Sequence, residues 1–139
     1  MDTTEFATIT EILATAKNIA VVGLSSNSYR SSFGVSETLQ ESGYHVIPVN
    51  PNEKEVLGEK AYARLEDVPE KIDIVDIFRR SEHVSDIVDS AIRVGARAIW
   101  MQEGVEDAAS AERARRAGIF VAMDRCIAKD LYIRARRSK

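Results

Sequence analysis

An α/β three-layer sandwich on a five-stranded parallel sheet is the fold this sequence predicts, and three observations carry the prediction. Five short, continuous apolar runs of the kind written by strands buried on both faces alternate with segments of helical periodicity. The 139 residues, 45% hydrophobic and 29% charged, suit one domain of ordinary globular composition. No repeat, low-complexity tract or linker interrupts the alternation, so residues 1–139 read as a single Rossmann-like domain. Right-handed crossovers leave few topologies, and the order 3-2-1-4-5 is expected in preference to 2-1-3-4-5.

Each element has its own signature. Phe6, Ile9, Ile12, Leu13 and Ala16 recur at helical spacing, which gives a lead-in helix within residues 1–17. Ile19-Ala20-Val21-Val22-Gly23 reads as the first strand, ending in glycine. Ser32 or its neighbours cap a helix that carries Val35 and Leu39 inward and stops at Gly43. His45–Val49 is the second strand, closed by Asn50-Pro51. Residues 52–71 read as irregular, with a helical turn near Leu65–Val68. Ile72–Phe78 is the third strand, and Asp76 within it reads as a buried, hydrogen-bonded acid. Ser81 is expected to cap the next helix, whose stripe is Val84, Ile87, Val88, Ala91 and Ile92. Ala96–Met101, a helix over Asp107–Ala117, a strand over Ile119–Ala122 and a last helix from Asp124 complete the chain.

Composition excludes several functions. The net charge of −3 provides no overall field to recruit nucleic acid, and no apolar run approaches the roughly 18–20 residues of a membrane span. One cysteine, Cys126, makes no internal disulfide, and Met1-Asp2-Thr3-Thr4-Glu5 lacks a signal peptide's pattern, so a reducing cytoplasm is expected. The charge is uneven. Residues 124–139 carry Arg125, Lys129, Arg134, Arg136, Arg137 and Lys139 against Asp124 and Asp130, a net of +4 that leaves −7 upstream. This basic C-terminal helix is a solvated face complementing its own dipole, a phosphate-facing surface, or a nucleic-acid patch; with Tyr132 as its single aromatic residue the last is disfavoured.

In an open parallel sheet, ligands bind beyond the carboxyl ends of the strands where their order reverses. Four segments fall there: Gly23–Phe33, Asn50–Asn52, Arg79–Ser81 and Gln102–Val105. The first carries seven hydroxyl or amide side chains and Arg30 between a strand and a helix N-terminus, a setting for phosphate. It is neither a dinucleotide fingerprint, because Ser25 and Ser28 stand where glycines are required, nor a Walker loop. The second strand ends in Asn50-Pro51 without the acidic residue that would bind the ribose of NAD. Arg79 and Arg80 are placed to fork onto phosphate oxygens, or else pair with Glu82 or Asp86. Gln102 and Glu103 offer hydrogen bonds to an amide or hydroxyl. His45 and His83 make no metal site, no nucleophile elbow occurs, and no acid–base pair stands out. A binding domain for a phosphorylated ligand fits better than a self-sufficient enzyme.

The stretches Ala20–Ser25, Tyr29–Ser32, Gly43–Pro51, Asp73–Arg80, Trp100–Gly104 and Met123–Cys126, taken together and in order, resemble the stand-alone CoA-binding proteins related to the N-terminal CoA-binding domain of the succinyl-CoA synthetase alpha subunit. The resemblance implies a Rossmann-type fold and coenzyme A, free or acylated, as ligand. By position it implies that Gly23, Leu24, Ser25 and Ser26 hold the phosphates with Arg30, Ser32 and Phe33 nearby. Asn50 and Pro51 would border the adenosine, Phe78, Arg79 and Arg80 flank the nucleotide, and Gln102 and Glu103 approach the pantetheine. It supplies no reaction.

Cys126 is expected in the first turn of the last helix, where the helix N-terminus and Arg125 favour a thiolate and CoA's own thiol approaches; its alternative is packing as a small hydrophobe. Two other functions stand beside CoA binding. One is an NAD(P)- or other nucleotide-binding redox sensor or enzyme. The other is an interaction module, or a homodimer, docking through the basic last helix.

Overall fold

The computed structural model describes residues 3–137, which leaves Met1, Asp2, Ser138 and Lys139 outside. Helix α1 (Thr3–Thr15), strand β1 (Asn18–Val22), helix α2 (Ser31–Glu41) and strand β2 (His45–Val49) open the chain. A hairpin of β3 (Glu55–Val56) and β4 (Glu59–Lys60) follows, then a 3-10 turn at Leu65–Asp67. Strand β5 (Ile74–Ile77), helix α3 (Val84–Val94), strand β6 (Ala98–Met101), helix α4 (Ala108–Arg116), strand β7 (Phe120–Met123) and helix α5 (Ile127–Arg137) complete it.

The main sheet is five-stranded and wholly parallel, as expected, but its order is β2-β1-β5-β6-β7. Counting only those five strands, this is 2-1-3-4-5, the arrangement passed over above for 3-2-1-4-5. The reason lies in Pro48. Proline cannot donate to a ladder, so it belongs on an edge strand, and the expected order would have buried β2 between two neighbours. In the structure β2 is the edge, with Pro48 in register with Val21. Its outer side meets the segment around Tyr62, whose N–H donates to the Pro48 carbonyl at 3.0 Å. The reversal point therefore lies between β1 and β5.

Strand alternation splits the core in two. Val22, Val75, Ile77, Ile99, Met101 and Val121 pack against α3 and α4; Ile19, Val21, Ile74, Ala98, Trp100 and Ala122 pack under α1, α2 and α5. Asp76 lies on the second face, in register between Val21 and Trp100. It is fully buried, yet neither carboxyl oxygen has a partner among the described residues, contrary to the hydrogen-bonded acid expected. Burial pushes its pKa well above the usual carboxylate range.

Three local expectations also change. The segment read as irregular contains the β3–β4 hairpin, turned through Leu57 and Gly58, both at positive φ. Leucine rarely adopts that conformation, so the usual hairpin signal is absent. Ser81 caps nothing: residues 81–83 form a 3-10 turn, and the Ser81 hydroxyl accepts the Glu106 N–H at 3.0 Å. The last helix starts at Ile127, three residues later than expected, after a loop in which Asp124 takes φ +57°.

Candidate functional site

A cleft of about 890 Å³ opens beyond the carboxyl ends of β1, β5 and β6, at the β1/β5 reversal. Of the fifteen residues singled out from sequence, Gly23, Ser25, Arg30, Ser32, Asn50, Phe78, Arg79, Arg80, Gln102, Glu103 and Cys126 line it. The other four do not. Leu24 is fully buried in the core, Ser26 is exposed, Phe33 packs against the α1/α2/α5 core, and Pro51 lines a neighbouring cavity.

Gly23 makes the β1/β5 junction. Its φ is +90°, and a Cβ built on it would lie 2.3 Å from the Phe78 carbonyl oxygen. Its N–H donates to the Val49 carbonyl at 2.8 Å, and the Phe78 N–H donates to the Val22 carbonyl at 2.8 Å. Glycine thus lets three strand ends meet at the cleft floor.

The loop after Gly23 is not an open cradle of backbone donors. The Ser25 N–H donates to the Ser32 hydroxyl (3.1 Å), the Ser26 N–H to the Glu53 carboxylate (2.7 Å), the Asn27 N–H to the Ser25 hydroxyl, and the Tyr29 N–H to the Asn27 side chain. Ser32 therefore ties the loop to α2 instead of capping that helix, whose N-cap is Arg30 without a side-chain cap. In the loop the Leu24 and Ser28 N–H groups take no acceptor among the described residues, and the first turn of α2 is open too: the N–H groups of Ser31 and Ser32 take none either. Both residues line the cleft, with Arg30 beside them.

The two strand-end arginines separate. Arg79 is half-buried, its stem packed over Gly23, and it lines both the cleft and a second cavity of about 260 Å³. That cavity has Val22, Val49, Pro51, Leu65 and Ile87 among its walls, with Arg64, His83, Asp86 and Ser90 at its polar positions. Arg80 is exposed and lies 3.7 Å from Glu82, the surface pairing weighed above.

Gln102 is 4% exposed. Its Oε1 accepts the Ile127 N–H at 3.2 Å, which leaves Nε2 as a donor with no partner among the described residues. Around it two loops are pinned together. The Asp124 carboxylate accepts the Gly104 N–H at 2.7 Å, and the Lys129 ammonium meets Glu103 at 2.8 Å, which holds the Lys129 amine above its ordinary range. Behind them, buried Asp130 accepts from the Trp100 indole at 2.9 Å and is paired with Arg125. That hydrogen bond raises the Arg125 pKa further, and it turns the guanidinium to Asp130. Two charges of the basic tail are thereby engaged within the chain; Lys139 and the side chains of Arg136 and Arg137 lie outside those described.

Ser31, Gly34, Val35, Gly104 and Val105 also line the cleft; Ser31, Gly104 and Val105 fall within the segments picked out from sequence without being singled out, whereas Gly34 and Val35 lie outside them. A signal existed for part of this set. Ser31, Gly34 and Val35 stand at i, i+3 and i+4, one face of α2.

Fold and cleft together define a doubly wound α/β domain with an open cleft at its topological switch point. The chain belongs to the CoA binding domain family, which matches residues 17–131. It is 41% identical over 121 residues to YneT of Bacillus subtilis (strain 168), covering 87% of this chain and 90% of that one. A hypothetical protein from Pyrococcus horikoshii OT3 has a solved structure that matches with a TM-score of 0.91 at 35% identity, covering 94% of this chain and 92% of the other. The ADP-forming acetate–CoA ligase II of Archaeoglobus fulgidus is 28% identical over 81 residues, 57% of this chain but 12% of the ligase. Among the described residues no helix is long and apolar enough to cross a membrane.

Proposed function

We propose that this protein binds coenzyme A, free or acylated, in the β1/β5 cleft, and that it carries out no self-sufficient catalysis. The observation that carries the reading is the joint placement of the open α2 N-terminus, Arg30 and Arg79 on one side and the unpartnered Gln102 amide on another. A phosphate group suits the Ser31 and Ser32 N–H donors, which lie at the positive end of the helix dipole. Arg79 reaches both cavities, so it suits a charge between a base and a diphosphate. The apolar walls of the smaller cavity suit a flat base, and Gln102 suits an amide carbonyl of the pantetheine arm. Family membership supports the same ligand.

Catalysis finds little support here. Neither histidine lines the main cleft, and the Glu103 carboxylate is already held by Lys129. The single cysteine suits a reducing cytoplasm. NAD is disfavoured because the Asn50 amide at the end of β2 donates to the Leu24 carbonyl at 3.1 Å, where a ribose-binding acid would be needed.

A thermal-shift series tests the proposal. At a hundred times its Kd, CoA adds about 2.7 kcal/mol to stability, several degrees for a domain this size. CoA should raise the Tm and NAD at equal concentration should not. A shift with NAD equal to or larger than that with CoA overturns the reading.

A further inference from the structure

We infer that Arg64 reads the ribose 3′-phosphate of the ligand, and so selects CoA over dephospho-CoA and NAD, whose ribose hydroxyls are free at that position. The inference rests on the CoA reading of the cleft and names the part of the ligand that the smaller cavity distinguishes.

Doubly wound folds present the hydroxyl edge of a bound nucleotide's ribose to the carboxyl end of β2, where an acid accepts a free hydroxyl and an arginine takes a phosphate carried on one. Here β2 is followed by Asn50, whose carboxamide is already engaged: Nδ2 donates to the Leu24 carbonyl at 3.1 Å, and Oδ1 accepts the Asn52 N–H at 3.0 Å. The chain brings an arginine to the same place from a different segment. The Tyr62 N–H donates to the Pro48 carbonyl at 3.0 Å and the Asn50 N–H to the Tyr62 carbonyl at 2.8 Å, so the backbone at Tyr62 runs alongside the end of β2, bridged to Val49. Arg64 follows two residues later in extended conformation, with φ −140° and ψ 156°. It lines the smaller cavity together with Val49 and Pro51, and it does not line the larger cleft.

The neighbouring cations are placed for other parts of the ligand. Arg79 lies across the β1/β5 junction with its stem over Gly23, between the two cavities. Arg30 stands at the α2 N-terminus on the larger cleft, and Arg80 is exposed beside Glu82. His83 and the carboxylate of Asp86 reach the smaller cavity from the segment that leads into α3 and from its first turn. That leaves Arg64 as the guanidinium on the β2 side. Its hydrogen-bond partner among the described residues is Asp67, through Nη2 at 3.3 Å, in a pair exposed enough to be worth little. A phosphate dianion suits the remaining donors of that fork, and it can displace Asp67 without stranding a buried charge.

Calorimetry of the full chain with CoA and with dephospho-CoA tests the inference. The parent should bind CoA at least about tenfold more tightly, the scale of a hydrogen-bonded charge pair. Arg64→Ala should bring that ratio below about threefold by weakening CoA alone, with the Kd for dephospho-CoA unchanged. The unchanged affinity for dephospho-CoA also shows that the variant is folded with its cleft intact. Arg64→Lys should restore part of the preference, because a point charge replaces the fork. A parent that binds CoA and dephospho-CoA alike overturns the inference and leaves the CoA reading standing. So does an Arg64→Ala variant that keeps the parent's ratio or weakens both ligands equally, and so does a ratio that collapses in Arg79→Ala instead. Absence of binding of either ligand to the parent sinks the reading and the inference together.

Discussion

Replacing Gly23 with alanine, set against the same change at Gly34, tests how the cleft is built. At Gly23 the new Cβ would stand 2.3 Å from the Phe78 carbonyl oxygen and 3.1 Å from its carbon. An ordinary contact needs the ends of β1 and β5 to part by about 1 Å. That movement strains the hydrogen bonds from Gly23 to Val49 and from Phe78 to Val22, each worth about 1 kcal/mol. A non-glycine residue at φ +90° adds strain of about 1–3 kcal/mol. The expected loss is about 3–5 kcal/mol, enough to threaten the fold itself, so loss of ligand binding would not be separable from loss of structure. At Gly34, inside α2, nothing lies within 4 Å of the added Cβ, and alanine should stabilise by about 0.5–1 kcal/mol. Urea unfolding by circular dichroism measures both. A Gly23→Ala variant within 1 kcal/mol of the parent would refute the claim that this glycine seals the junction.

Asp76→Asn should stabilise at neutral pH. The buried acid keeps its proton while the unfolded chain loses it, so the parent's stability is complete below the ordinary carboxylate range and falls as pH rises above it. The variant's advantage should therefore grow from pH 4 upward, by at most about 1.4 kcal/mol per pH unit, and a pH-independent difference in urea midpoints would contradict this. Arg79→Ala should weaken CoA about tenfold, the scale of one charge-assisted hydrogen bond, and flatten its salt dependence in calorimetry. Arg80→Ala should cost less than about threefold, since that side chain is exposed beside Glu82; a larger loss at Arg80 would reverse the assignment. Asp130→Ala leaves the Arg125 charge and the Trp100 N–H without their partner, and should cost about 3–5 kcal/mol in urea unfolding. A loss under 1 kcal/mol would show the network to be incidental.

The strands were legible because each is a short apolar run flanked by turn residues, which burial on both faces of a parallel sheet requires. Their order was legible too, but through one residue that the apolar pattern hides. Pro48 looks like part of a central run until its missing N–H is counted, and then β2 belongs at the edge. The hairpin at residues 55–60 left no trace, since two-residue strands have no alternation and Leu57 is an unexpected residue at positive φ. At the cleft, the segments were found by chemistry and the details decided by hydrogen bonding. A run of serines beside a helix N-terminus reads as a cradle for phosphate, yet Ser25, Ser32 and Glu53 use those side chains to satisfy the loop's own N–H groups. Open donors remain at Leu24 and Ser28 and, at the helix start, at Ser31 and Ser32, a distinction that depends on which acceptor each N–H meets. In the same way, nothing in the local sequence pairs Arg125 with Asp130, or leaves Gln102 with a free donor, until α5 is packed against β6.

Amide chemical-shift mapping with CoA tests the central claim most directly, because it reports ligand and site in one titration. The predicted shifts are saturable and concentrate at Ser31, Ser32, Arg79, Gln102 and Cys126, around the β1/β5 reversal. No shift at saturating CoA, or shifts centred on Asn18, His45 and Gly118 at the opposite edge of the sheet, would contradict it.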